Sequence, residues 1–173
     1  MAARPCVAIS RAVTVRPQGN AVEIFTGGAH GRNTPVRVIS GPHTGLGSCG
    51  QVCSLAIASS RLTGRIYVAV SAGARTRISV FAGNATGDAR PIRTIEGPAT
   101  GLAGGAVTGL AISQCHGTIY AMVHTSASNF GAARIDAYAR HARGDVHPVR
   151  SFTDRHSGFR DSQGLAITAC PSG

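Results

Sequence analysis

The sequence contains no tryptophan and no lysine, and its 17 basic residues are all arginine. Without lysine, a glycine-rich phosphate cradle is not expected, and "GLAGGAV" also lacks the helix such a cradle needs. Carboxylates are scarce too, with 7 in all: Glu23, Asp88, Glu96, Asp136, Asp145, Asp154 and Asp161. No apolar run approaches the roughly 18 residues of a membrane span, and "MAARPCVAISRAVTV" has no stretch long enough for a signal peptide, so the default expectation is a cytoplasmic protein away from membranes. The 5 cysteines, Cys6, Cys49, Cys53, Cys115 and Cys170, are odd in number and scattered, so no disulfide framework is expected. "CGQVC" stands without a second pair, so a metal site is not expected there either, and the chain is read as needing no cofactor. There is no G-x-S-x-G nucleophile elbow and no amphipathic helical periodicity.

What the sequence does have is repetition. "TPVRVISGPHTGL", "RPIRTIEGPATGL" and "HPVRSFTDRHSGF" keep the same interval from Pro35 to Gly45, Pro91 to Gly101 and Pro148 to Gly158. Equivalent prolines are spaced by 56 (35 to 91) and 57 (91 to 148) residues. Ahead of each proline, an apolar run closes on an aromatic, Phe25, Phe81 and Tyr138, and "SLAI", "GLAI" and "GLAI" follow the glycines. With 23 glycines and short β-branched runs, strands joined by tight turns fit better than helices. In the central copy the runs Leu110 to Ile112, Ile119 to Val123, Ile135 to Tyr138 and Val149 to Phe152 parse as four antiparallel strands. Several strands per long repeat is the pattern of β-propeller blades. The fold class expected is all-β, about three four-stranded blades in a single domain over residues 1–173.

"ISVFAGNATGDARPIRTIEGPATGL", followed by "GLAI" and "GTIYAMV", resembles the repeat of bacterial NHL-type β-propellers over about residues 13 to 169. That resemblance implies six-bladed architecture, of which this chain supplies half. It also admits two functional comparisons, RNA-binding NHL domains and propeller lactonases that hold a divalent cation on acidic and amide side chains of the inner strands. The acidic residue that often follows the family's inner strand is replaced by Ala58, Ser113 and Thr168, which removes the basis for carrying over a cation site.

Three functions follow as expectations. The first is a non-enzymatic binding or scaffold module, the default for a repeat surface without a catalytic constellation. The second is RNA or polyanion binding through a basic loop face carrying Arg32, Arg61, Arg65, Arg90, Arg140 and Arg143. Its weakness is the lack of aromatics for base stacking. The third is a fragment of a lactonase-like hydrolase or lyase, for which no catalytic residue can be named. The opposite loop face offers His43, Gln51, His124, Arg160 and Asp161 as candidate ligand-binding residues. Arg37, Arg93 and Arg150, at equivalent places in the outermost strand, are expected to pair within their own blades.

Blades are expected at about 55–95 and 110–152, with a composite of 13–39 and 165–168 in which "GLAI" near the C-terminus supplies the inner strand. "AVTV", "VEIF" and "VRVI" read as its other three strands; alternatively Val7 to Ile9 supplies the first. Three blades form an arc with apolar flanks, so a homodimer or a place in a larger propeller is expected.

Overall fold

A computed structural model describes residues 7–9, 21–25, 34–47, 54–72, 75–124, 133–153 and 164–167. The described residues form three antiparallel sheets and no α-helix. The first sheet contains β1 (Val7–Ile9), β2 (Val22–Phe25) and β3 (Arg37–Ile39). The second contains β4 (Ser54–Ser60), β5 (Arg65–Ala72), β6 (Arg75–Ala82) and β7 (Arg93–Ile95). The third contains β8 (Ala106–Ile112), β9 (Ile119–His124), β10 (Ala133–Tyr138) and β11 (Arg150–Thr153). Within each sheet every strand pairs antiparallel with its neighbours in sequence.

Strand bounds follow the apolar runs, with one informative difference. β8 begins at Ala106 rather than Leu110, because a register shift between Val107 and Gly109 lets pairing with β9 continue past the irregularity. In the first sheet, residues 12–15, expected as the second strand, lie outside the described residues. Val7–Ile9 takes that place: Val7 stands opposite Phe25, as Ile66 stands opposite Phe81 and Ile119 opposite Tyr138. Val7–Ile9 is therefore a second strand by register and not the first. Residues 164–167 join none of the three sheets.

Side-chain alternation along the strands explains how the sheets stack. On β5, Ile66, Val68 and Val70 pack with Val22, Ile24, Ile39 and Leu46 of the first repeat. The intervening Tyr67 and Ala69 point the other way, into a cluster with Val107, Leu110, Ile119 and Tyr138 of the third. The middle sheet is thus buried on both faces, and the core is two apolar layers between three sheets. Tyr67, Phe81 and Tyr138 are fully buried, each contributing roughly 1.5–3 kcal/mol of burial free energy.

Backbone contacts latch each sheet to the next. Ile39 and Ile95, at the ends of the outer strands β3 and β7, form parallel bridges with Gly87 and Gly144 of the following sheet. Gly87 donates to the Val38 carbonyl at 2.7 Å and its own carbonyl accepts from Ser40; Gly144 does the same with Thr94 and Glu96. Just beyond each outer strand, Pro42–Thr44 and Pro98–Thr100 wind into one 3-10 turn. The carboxylates of Asp88 and Asp145 accept from the backbone N–H of His43 and Ala99, both at 2.7 Å. Arg93 meets the Tyr67 hydroxyl of its own sheet as expected, but the outer-strand arginines also cross between blades: Arg37 donates to the Gly83 and Ala85 carbonyls and Arg93 to the Arg140 carbonyl, all on the following sheet. Arginines also reach backwards, Arg77 to the Gly45 carbonyl and Arg134 to the Gly101 carbonyl.

Gly41 and Gly97 make this joint possible. Their φ values are 137° and 139°, and a Cβ on either would lie 2.4 Å from Oδ1 of Asp88 or Asp145. Gly97→Ala is expected to cost at least about 2 kcal/mol, through strain and a displaced carboxylate. A urea melt checks this, with Gly104→Ala, which shares a positive φ but has open space around it, separating the clash from the backbone term.

Candidate anion-binding interface

Arg93 feels the charges of two of the expected anion-binding arginines, Arg65 and Arg140. It projects from β7 toward the following sheet, and its Nε is buried without a hydrogen-bond partner. Burial holds the guanidinium below its ordinary pKa; the Tyr67 hydroxyl works against that shift, while the charges of Arg65 and Arg140 add to it. The Arg93 guanidinium thus feels two further positive charges, one from the second sheet and one from the third repeat, a repulsion that a bound anion would relieve. Tyr67 is anchored in the core and its hydroxyl lies 3.2 Å from Thr63 Oγ1, so the hydroxyl beneath Arg93 is fixed in place.

The turn carrying Arg61 is tied into the same edge. The backbone N–H of Arg61 donates to Gln114 Oε1 at 2.9 Å, and Gln114 Nε2 donates to the Ile112 carbonyl at 3.1 Å. Gln114 thus bridges the β4–β5 and β8–β9 turns. Gly117 brings the second of these close, since a Cβ there would lie 3.1 Å from Arg140 Cβ. Arg90 and Arg143 are exposed on the β6–β7 and β10–β11 loops, and Arg32 lies outside the described residues. Gln114 carries no sequence signal beyond its loop, and Arg93 reads from sequence as purely structural.

Asp88 and Asp145, on the same loops as Arg90 and Arg143, are engaged in the joints with the preceding sheets. Asp136 is likewise engaged: it is fully buried, paired with Arg134 Nε at 2.9 Å and hydrogen-bonded by Ser151 at 2.6 Å. The basic loops keep their charge because three of the seven carboxylates serve in packing.

The other proposed face does not assemble in the same way. His43 is half-exposed, and its Nδ1 lies 2.5 Å from Asp88 Oδ2, which makes it part of the joint between the first and second sheets. His124 is fully buried at the end of β9. Gln51, Arg160 and Asp161 lie outside the described residues. Among the described residues no group of three or more His, Cys, Asp or Glu side chains converges, and no helix is long and apolar enough to cross a membrane. Cys115 is disulfide-bonded, a single bond that cysteine number and spacing did not point to; its partner is not among the described residues.

No family model matches the chain, and no curated protein or solved structure shows significant similarity to it.

Burial opposes ionisation of Asp88, but hydrogen bonds from the His43 side chain and from the His43 and Thr44 backbone, with the charge of His43, hold its pKa below the ordinary 3.8. A carboxylate depressed on folding stabilises the native state above its unfolded pKa, and that stability is lost as pH falls through the lower, folded value. Asp88→Asn should therefore lower thermal stability at neutral pH, with the gap to wild type closing below about pH 3.8. Melting curves between roughly pH 2 and 6 check the sign; a gap independent of pH would assign the loss to shape rather than charge.

Proposed function

We propose that the chain is a non-enzymatic binding module of three NHL-type propeller blades, and that its basic loop face receives an anionic partner. The observation that carries this reading is the buried, unpartnered Nε of Arg93, whose guanidinium also feels the charges of Arg65 and Arg140. Supporting the propeller assignment are the chain-ordered stacking of sheets and the repeated joints between an outer strand and the next sheet's loop. Two sheets have the four-stranded meander of a blade, and β1 holds the second-strand register of a third.

A guanidinium cluster without aromatic platforms attracts phosphate or sulfate rather than bases. Binding should then be independent of sequence and strongly dependent on salt. Arg93 is a poor residue to test by replacement, since it also holds the following sheet. Arg61, Arg65, Arg140 and Arg143 serve better, because no side-chain bond of theirs holds the fold among the described residues.

Replacing these four together with glutamine should lower affinity for heparin and for a single-stranded RNA alike. It should also flatten the plot of log K against log salt by roughly 3, at about 0.7 per lost phosphate contact on single strands. Fluorescence anisotropy across a salt series measures both. Tight binding by the variant at high salt would place the site elsewhere.

A further inference from the structure

Equivalent positions in the three repeats have unequal surroundings. Ile39 and Ile95 end their outer strands fully buried against the next sheet, whereas Phe152, in the same place on β11, is 44% exposed. Arg37 and Arg93 are half-buried and bonded to carbonyls of the following sheet; Arg150 is exposed. The opposite end of the stack shows the matching deficit. Phe81 and Tyr138 turn back onto the preceding sheet and are fully buried, while Phe25, their counterpart on β2, is only half-buried.

The inner strands show the same complementarity. β4 lies beside β8, and Gly109 of β8 approaches Gly164 and Leu165 so closely that a Cβ would lie 2.8 Å from their backbone. Gly164–Ile167 therefore stands where the inner strand of a fourth sheet belongs. Ile167 is 40% exposed there, against 5% for its counterpart Ile112. The first sheet, conversely, has no inner strand beside β1 among the described residues.

Sequence positions at the joint change in a matching way. Where the second and third repeats have Asp88 and Asp145, the first has Arg32; where the first and second have Gly41 and Gly97, the third has Asp154. Within the chain, Asp88 meets Gly41 and Asp145 meets Gly97. A joint from the third repeat onto a first repeat would by the same register match position 154 with position 32, an aspartate with an arginine.

We propose that two copies of this chain join head to tail, the third sheet of each seating on the first sheet of the other. At each of the two junctions Phe152 covers Phe25, Arg150 takes the carbonyl-binding place of Arg37 and Arg93, and Gly164–Ile167 adds an inner strand beside the other copy's β1. The occupant is a second copy because both halves of the joint are displayed by this chain. The stoichiometry rests on the propeller reading above: propellers close with about four to eight blades, and two copies of three sheets bring six. A heterologous contact used twice around a two-fold axis closes without leaving a free end.

Light scattering after size exclusion of the full 173-residue chain should give twice the chain mass. Phe152→Asp should shift it to monomer while the β circular dichroism is retained. Arg32→Asp and Asp154→Arg should each weaken the dimer at least tenfold, and combining them should restore it. Arg32 and Asp154 both lie outside the described residues and are chosen by register alone; the paired reversal keeps the test decisive if the Phe152 variant does not fold. A wild-type monomer, or a dimer indifferent to the charge changes, overturns the proposal. Heparin binding reports separately: a monomer that retains salt-sensitive binding sinks the junction and leaves the anion site standing, whereas a charge-sensitive dimer without heparin affinity does the reverse.

Discussion

The structure depends on a short parallel bridge between the end of one sheet's outer strand and a glycine in the next sheet's loop. Each outer strand has only three or four residues, too few to hold an edge on their own pairing. Borrowing hydrogen bonds from the following sheet makes the edge part of the interior. The 3-10 turn, its aspartate cap and the arginine on the outer strand all gather at that bridge, and the apolar layer lies directly behind it. Exposed sheet edges invite unwanted pairing, and this joint closes an edge wherever a following sheet exists.

That arrangement governs the electrostatics as well. With 7 carboxylates against 17 arginines, the few acidic groups have their largest effect where they are desolvated or where they cap backbone N–H groups. Asp88, Asp145 and Asp136 occupy such positions. Among the described residues no ion pair engages the arginines of the loop face, so their charge needs no additional basic residues to stand out. Packing and surface potential are thus two outcomes of one distribution of aspartates.

The strands were legible in the sequence because β-branched runs and glycine turns recur at a fixed interval, and a local pattern of that kind survives folding. Strand pairing in the second and third sheets follows from those runs almost residue by residue. The joints were not legible. Arg93 and Arg37 look alike in sequence whether they bond within a sheet or beyond it, and only the approach of Gly83, Ala85 and the Arg140 carbonyl decides. His43 read as an available imidazole, because its partner Asp88 is 45 residues away and belongs to another repeat. The register of Val7–Ile9 was likewise hidden, since three apolar residues fit an inner or a second strand equally well until Val7 is set opposite Phe25.

The latch also bears on how such a chain could have grown. Its leading half, the outer strand with its 3-10 turn, and its trailing half, the glycine–aspartate loop, occur together in a repeat but engage across consecutive ones. Duplicating a whole repeat therefore copies both halves at once, and the new unit arrives able to grip the unit before it and to be gripped by the unit after. Lengthening by tandem duplication needs no newly invented contact, and only the outermost units are left open to diverge.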